Sequence, residues 1–218
     1  CGARIGRNCR IHHGAVVGHV PQDLKYKNEP TTCELGDRNV IREYATLHRG
    51  TVETGRIIIG SDNLLMGYVH IAHDCVLGNN IILSNAAMLA GHVHIDDFAI
   101  IGGVTPVHQF VHIGAHVMIG GGLRVRKDVP PFIRAAGDPL VFSGLNSVGL
   151  RRRGFSRETI DTLNKAYNIL YNSNLNVSQA VAKIKENTEL LRSSEVQNVL
   201  DFIANSKRGI ISRQRTLE

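Results

Sequence analysis

From Ile59 to Pro130 the chain divides into twelve consecutive six-residue units, each opening on Ile, Leu or Val. The openers are Ile59, Leu65, Ile71, Leu77, Leu83, Leu89, Ile95, Ile101, Val107, Ile113, Ile119 and Val125. These three residue types make up roughly a quarter of average sequence, so twelve hits in one chosen frame arise by chance on the order of once in ten million. A fixed short period marks a repeat architecture, and a six-residue period marks a parallel β-helix. Three units close one triangular coil of about 18 residues, and neighbouring coils stack about 4.8 Å apart. The opening aliphatic points inward, and the fifth position is mostly small or branched (Val69, Cys75, Ala87, Val93, Ala99, Val111, Val117). Each coil buries its apolar face only against its neighbours, so several are needed for stability.

Two shorter stretches carry the same pattern: Ile5, Ile11 and Val17, then Leu35, Ile41 and Leu47. The breaks between them predict inserted loops near 19–34 and 51–58, and insertions in a solenoid project from its surface, often on the binding side. The repeat ends at Val129-Pro130-Pro131, and beyond Gly154 the period becomes helical. Ser156 is the expected N-cap of a helix with Glu158 in its first turn and Ile160, Leu163, Tyr167 and Leu170 on one stripe. A second helix is expected over about Ser178 to Leu191 and a third near Glu195 to Asn205. The division read from these patterns is a β-helix over 1–140 and a helical domain over 141–218.

Composition agrees with a thin solenoid: 22 Gly, six Phe, five Tyr and no Trp suit a narrow interior with tight corners. No apolar run reaches the ~20 residues of a membrane span. The chain begins at Cys1 in mid-pattern, so its natural start is expected upstream. Four scattered cysteines (Cys1, Cys9, Cys33, Cys75) lack metal-ligand spacing and read as reduced thiols of a cytoplasmic protein. The net charge of +6 is uneven: Arg124, Arg126, Lys127 and Arg134 follow the repeat, and Arg151, Arg152 and Arg153 form a triplet. Such a patch suits an anionic partner. With no aromatic residues interleaved for base stacking, nucleic acid is not the expected one.

The repeat assigns every histidine a phase. His70 falls at position six of its unit, His73 at three, His92 at four and His108 at two. None shares the buried opening position, so all should face outward or sit at corners. His73 and Gly91 are one coil apart and should stack on one corner, which sets a potential general base beside a backbone N–H able to face an oxyanion. Asp74 follows His73 directly, and adjacent side chains on a straight strand oppose one another, so it can orient His73 only if the chain bends there. A metal site built from His70, His73 and His92 is the competing use, disfavoured because their three phases do not converge.

Several motifs on this frame carry a family resemblance: Pro-Gln-Asp-Leu-Lys-Tyr (21–26), Gly-Asp-Arg-Asn (36–39), His-Arg-Gly-Thr (48–51), His-Ile-Ala-His-Asp-Cys (70–75), Leu-Ala-Gly-His-Val (89–93), Val-His-Gln-Phe (107–110), Asp-Val-Pro-Pro (128–131) and Arg-Arg-Gly-Phe-Ser (152–156). Together they resemble the acyl-[acyl-carrier-protein]–UDP-N-acetylglucosamine O-acyltransferases over nearly the whole chain. The resemblance implies a left-handed helix and a homotrimer with active sites between subunits. The implied reaction moves a 3-hydroxyacyl group from acyl carrier protein to the 3-hydroxyl of UDP-N-acetylglucosamine, the first step of lipid A synthesis. No metal or other cofactor is implied; the donor rides on the carrier's phosphopantetheine. By the same resemblance His73 is the base, Asp74 its partner and Gly91 the oxyanion-side amide, with His92 beside it. Asp23, Lys25, His70, His108 and Gln109 match contacts to the UDP-sugar, and Asn146, Arg152 and Arg153 match contacts to the diphosphate or pantetheine. By the same resemblance acyl length is set around Met118 to Gly122, where Gly120, Gly121 and Gly122 leave room for a tail of about fourteen carbons. One departure is Val148, where the family commonly carries an acidic residue. The alternatives are acylation of a 3-amino sugar, the related N-acyltransferase of the same pathway, and a binding scaffold without activity.

Overall fold

The computed structural model describes residues 2–213; Cys1 and the last five positions of the expected helical domain lie outside the described residues. Strands follow the repeat in threes. The first coil holds β1 (Ala3–Ile5), β2 (Arg10–Ile11) and β3 (Val16–His19), the second β4 (Thr32–Leu35), β5 (Val40–Ile41) and β6 (Thr46–His48). The third holds β7 (Arg56–Ile59), β8 (Leu64–Leu65) and β9 (His70–Ile71), the fourth β10 (Val76–Leu77), β11 (Ile82–Leu83) and β12 (Met88–Leu89). The fifth holds β13 (His94–Ile95), β14 (Ile100–Ile101) and β15 (Pro106–Val107), and the sixth β16 (His112–Ile113) and β17 (Met118–Ile119). The first strands of the coils pair in parallel as sheet A, the second as sheet B and the third as sheet C, giving the three faces of a left-handed β-helix.

Val76 pairs with His94 and His94 with His112, so one rung is 18 residues. The step is longer below: Ala3 pairs with Cys33 and Thr32 with Arg56. The surplus leaves as two loops, 20–31 and 49–55, narrower than the sequence pattern suggests because Thr32–Leu35 and Arg56–Ile59 are already paired strands. Both loops leave from the edge where sheet C turns into sheet A.

From Ile59 onward the openers and nearly all fifth positions are buried together, from Ile59 at 1% exposure to Val111 and Ile113 at 0%, whereas the first-coil openers Ile5 and Ile11 are 45% and 43% exposed. Cys33 and Cys75 occupy this inner column, where burial pushes both thiols up to about 12. Asn39 and Asn63 are buried at fifth positions too. Their amides form an internal ladder: Asn63 N–H donates to Asn39 Oδ1 (3.0 Å), and Ile81 N–H to Asn63 Oδ1 (2.7 Å), so no polar atom there is stranded.

The fourth residue of each of the first eleven units turns a corner with left-handed φ, the eleventh being Gly122 at 72°. Asp62, Tyr68, Asp74, Asn80, Ala86, His92, Phe98, Val104, Phe110 and His116 all lie between 54° and 63°. An L-residue pays roughly 1–2 kcal/mol for that conformation. Hydrogen bonds from the corner amides to the rung below offset it: His92 N–H donates to His73 O (3.0 Å) and His116 N–H to Asp97 O (2.9 Å).

Past the repeat, β18 (Ile133–Ala136) extends sheet B in parallel, β19 (Val141–Leu145) returns antiparallel, and β20 (Ser212–Arg213) pairs with β19. Sheet B therefore runs across the expected boundary at residue 140 and ties the two regions together. The helices are α1 (Ser147–Arg152), α2 (Arg157–Tyr171), α3 (Val177–Lys185), α4 (Thr188–Leu191) and α5 (Ser194–Asn205). Ser156 caps α2 as expected, its Oγ accepting from Thr159 N–H at 3.0 Å. The single helix expected over 178–191 is instead two, because Asn187 accepts from Glu189 N–H and Leu190 N–H and starts a new turn. Tyr167 OH donates to Pro131 O at 2.6 Å, and the buried Asp128 carboxylate accepts from His112 N–H (2.8 Å) and Ser206 Oγ (2.6 Å), which fastens the helices to the last coil. Among the described residues no helix is long and apolar enough to cross a membrane.

Candidate active site

The chain leaves sheet C at Ile71 and turns at His73–Asp74, where Asp74 adopts φ 59°. That bend swings the Asp74 carboxylate back onto its neighbour, and Oδ2 meets His73 Nδ1 at 2.8 Å. The condition set by the sequence is met by the corner itself.

Asp74 is held from the other side by the 49–55 loop, which replaces the missing rung beneath it. Thr51 N–H donates to Oδ1 (2.9 Å), Thr51 Oγ1 to Oδ2 (2.6 Å), and Thr54 Oγ1 also donates to Oδ1. Burial alone would raise this carboxyl; the hydrogen bonds from Thr51, Thr54 and His73 outweigh it and hold the group below its usual value. An ionised Asp74 favours the tautomer with a proton on His73 Nδ1, leaving Nε2 as an acceptor.

Gly91 sits one rung up, against the His73 ring. A Cβ there would fall 2.5 Å from Cε1 and 2.7 Å from Nε2. The Gly91 N–H takes no protein partner among the described residues, whereas the amides on either side are engaged, Ala90 with Val107 O and His92 with His73 O. An imidazole and an uncommitted backbone donor thus face one space.

His92 stands edge-on to His73, ring centroids 5.2 Å apart, and its other face stacks on Phe110 at 4.5 Å. Its Nε2 lies 3.3 Å from Glu53 and 3.7 Å from Asp74. His70 Nδ1 meets Thr46 Oγ1 at 2.8 Å, and burial lowers its pKa. Beneath it lies His48, buried with Nδ1 unpartnered, its pKa pushed down to about 4 by burial and by neighbouring His70, His19 and His73. Sequence phase did not single out His48, Thr51 or Thr54. His48 and Thr51 carried only the His-Arg-Gly-Thr motif, whose last residues sit in a loop where the repeat gives no register, and Thr54 lies beyond that motif.

The remaining expected site residues divide by edge. His108 and Gln109 are exposed on the corner above Gly91, and the 20–31 loop on the same edge carries Lys25 and Asp23, whose Oδ1 accepts from Lys25 N–H at 2.9 Å. Asn146 and Arg153 pack instead on the edge between sheets A and B. Asn146 caps α1 and donates from Nδ2 to His116 O (3.0 Å); Arg153 donates to Phe98 O (3.0 Å) and lies over the Phe98 ring at 5.2 Å. Arg152 and Val148 are exposed on α1. Met118, 40% exposed, lies on sheet B, and Gly121 on the corner from sheet B to C, where a Cβ would come 3.1 Å from Gly103 O. The chain therefore brings His73, Asp74, Gly91, His92, His70, His108, Gln109, Asp23 and Lys25 to one edge and leaves Asn146, Arg152, Arg153, Met118 and Gly121 elsewhere.

The ligand atoms of His73, Asp74 and His92 are close enough to surround an ion. Asp74, however, already accepts from two threonines and a histidine, so its oxygens are committed.

Residues 128–211 match the family described as UDP N-acetylglucosamine O-acyltransferase, domain 2. The chain is 50% identical over 205 residues to an acyl-[acyl-carrier-protein]–UDP-N-acetylglucosamine O-acyltransferase of Burkholderia mallei (strain SAVP1), covering 93% of this chain and 78% of that protein. Among solved structures it resembles a UDP-N-acetylglucosamine acyltransferase from Bacteroides fragilis 9343, with a TM-score of 0.94 at 50% identity over 96% of this chain and 82% of the other. An Arabidopsis UDP-N-acetylglucosamine acyltransferase superposes with a TM-score of 0.89 at 32% identity, over 97% and 90% of the two chains.

Proposed function

The chain belongs to the acyl-[acyl-carrier-protein]–UDP-N-acetylglucosamine O-acyltransferases, and we infer that it transfers an acyl chain from acyl carrier protein to UDP-N-acetylglucosamine with His73 as the general base. In this reading His73 Nε2 removes the proton of the sugar hydroxyl as its oxygen attacks the thioester carbonyl. The tetrahedral oxyanion faces the Gly91 N–H. On collapse the carbon–sulfur bond breaks, and the imidazolium returns its proton to the pantetheine thiolate. Asp74 holds the ring in the productive tautomer and stabilises the imidazolium. The 2.8 Å bond between His73 Nδ1 and Asp74, beneath an uncommitted Gly91 amide, carries this assignment.

The finer features belong to the same proposal: a 3-hydroxyacyl donor, the sugar 3-hydroxyl as acceptor, the opening step of lipid A synthesis, a cytoplasmic homotrimer, and no metal or cofactor in the reaction. The cationic run at the end of the repeat suits an acidic carrier; Arg124, Arg126 and Lys127 line a cleft with Leu140 and Ile211.

The test is transfer from 3-hydroxyacyl carrier proteins of several lengths to UDP-N-acetylglucosamine. The unmodified protein is expected to be active, and His73→Ala to lose about 10²–10⁴-fold in kcat while remaining folded. A variant keeping more than about a tenth of the activity would place the base elsewhere.

A further inference from the structure

Sheet A carries a second constellation of ligating atoms that the acyl transfer does not use. His94 and Asp96 are two residues apart on one strand and its exit, so both project from the same outer face. His112 is the cross-strand partner of His94 on the next coil. Their rings stack at 4.4 Å, and both Nε2 atoms turn onto one carboxylate: His94 Nε2 lies 3.2 Å from Asp96 Oδ1, and His112 Nε2 3.0 Å from each Asp96 oxygen.

We propose that His94, Asp96 and His112 bind a divalent transition-metal ion of the zinc type, in the cleft between sheet A and helix α5. Three observations carry the assignment. Ligand atoms bound tetrahedrally at about 2.0–2.1 Å stand about 3.3–3.4 Å apart; the nitrogen–oxygen separations, 3.2 and 3.0 Å, are close to that, and all three ligand atoms lie within 4.8 Å of one another. Two imidazoles with one carboxylate form a donor set that suits zinc, cobalt or nickel and not magnesium or calcium. Asp96, unlike Asp74, accepts from no side chain other than these two histidines among the described residues, so its oxygens are available.

The surroundings fit such a site. Phe202 of α5 lies 4.4 Å from the His112 ring and fixes its plane, while Asn198 of the same helix lines the cleft. His94 is half exposed, which leaves a path for the ion and a coordination position for water. A bound ion would cross-link two rungs of sheet A beside the C-terminal helices. It is a structural clamp, distinct from the His73 corner.

The full chain, dialysed against a chelator, is titrated with ZnCl2 by calorimetry and with CoCl2 by visible spectroscopy. One equivalent per chain is expected, with the visible bands of low-symmetry cobalt, a rise in Tm on adding zinc and no response to MgCl2. His94→Gln and Asp96→Asn should each weaken binding at least about tenfold, while His73→Ala binds as before. His94→Gln alters a half-exposed side chain and serves as the deciding variant if Asp96→Asn fails to fold. Absence of binding, unchanged affinity in His94→Gln, or loss of binding in His73→Ala would each overturn the proposal.

Discussion

A methyl group added at Gly91 would meet the His73 ring at 2.5–3.0 Å, closer than real Cβ contacts allow. The backbone there is not left-handed, so alanine imposes no conformational strain of its own, and the ring must yield. Yielding tilts His73 off Asp74 and lengthens the 2.8 Å bond that sets its tautomer. Gly91→Ala should therefore keep its Tm within a few degrees and lose about 10²-fold in kcat, the usual cost of displacing a catalytic group by about 1 Å. Steady-state kinetics beside a thermal melt check this; an unchanged kcat would mean that His73 tolerates displacement and is not the base. The pairing was legible because 18 residues separate the two positions on a regular repeat. The hydroxyls of Thr51 and Thr54 were not, since the loop that brings them to Asp74 has no period from which a register could be read.

At the scale of an element, the corner column between sheets A and B shows what the hexads left unsaid. The repeat predicted that corners exist. It did not predict that corners would be turned by left-handed residues as bulky as Tyr68, Phe98 and Phe110, because the compensating hydrogen bonds come from the rung below. On this column His116 stacks between Phe98 (4.8 Å) and Phe132 (5.6 Å), edge-on to Phe155 (5.0 Å). Its Nδ1 is buried without a partner, and burial, aided by Arg153, lowers its pKa from 6.5 to about 4. The folded state therefore refuses a proton that the unfolded chain accepts. Stability from this group is complete above about pH 6.5 and is lost as the pH falls towards 4. The loss is about 1–2 kcal/mol once partial solvent contact is allowed for. Phenylalanine already occupies the same corner conformation at Phe98 and Phe110. His116→Phe should fold, match the parent at pH 7.5 and lose less stability between pH 6.5 and 4 in urea titrations. Parallel stability curves for the two proteins would rule this out.

For the whole molecule, the division of site residues between edges is the consequence that matters most. His73 lies where sheet C turns into A, and α1 with Arg152 packs where A turns into B, so a full face of the prism separates them. Six residues at about 3.3 Å each make that face roughly 15–20 Å wide. A sugar nucleotide bound at His73 is not reached by Arg152 of the same chain across that face. If both touch one substrate, as the family resemblance implies, the arginine comes from a neighbouring copy. Leu24, fully exposed on the 20–31 loop, and Phe110, 49% exposed beside His92, supply the apolar contact such a neighbour would cover. His73→Ala and Arg152→Ala protomers, each weak alone, should then complement when co-expressed in equal amounts. Random assembly gives an intact His73 facing an intact Arg152 in about one site in four, so about a quarter of the parent activity should return in a closed ring of copies. A site contained within one chain would return only the sum of the two weak activities, which would exclude a shared active site.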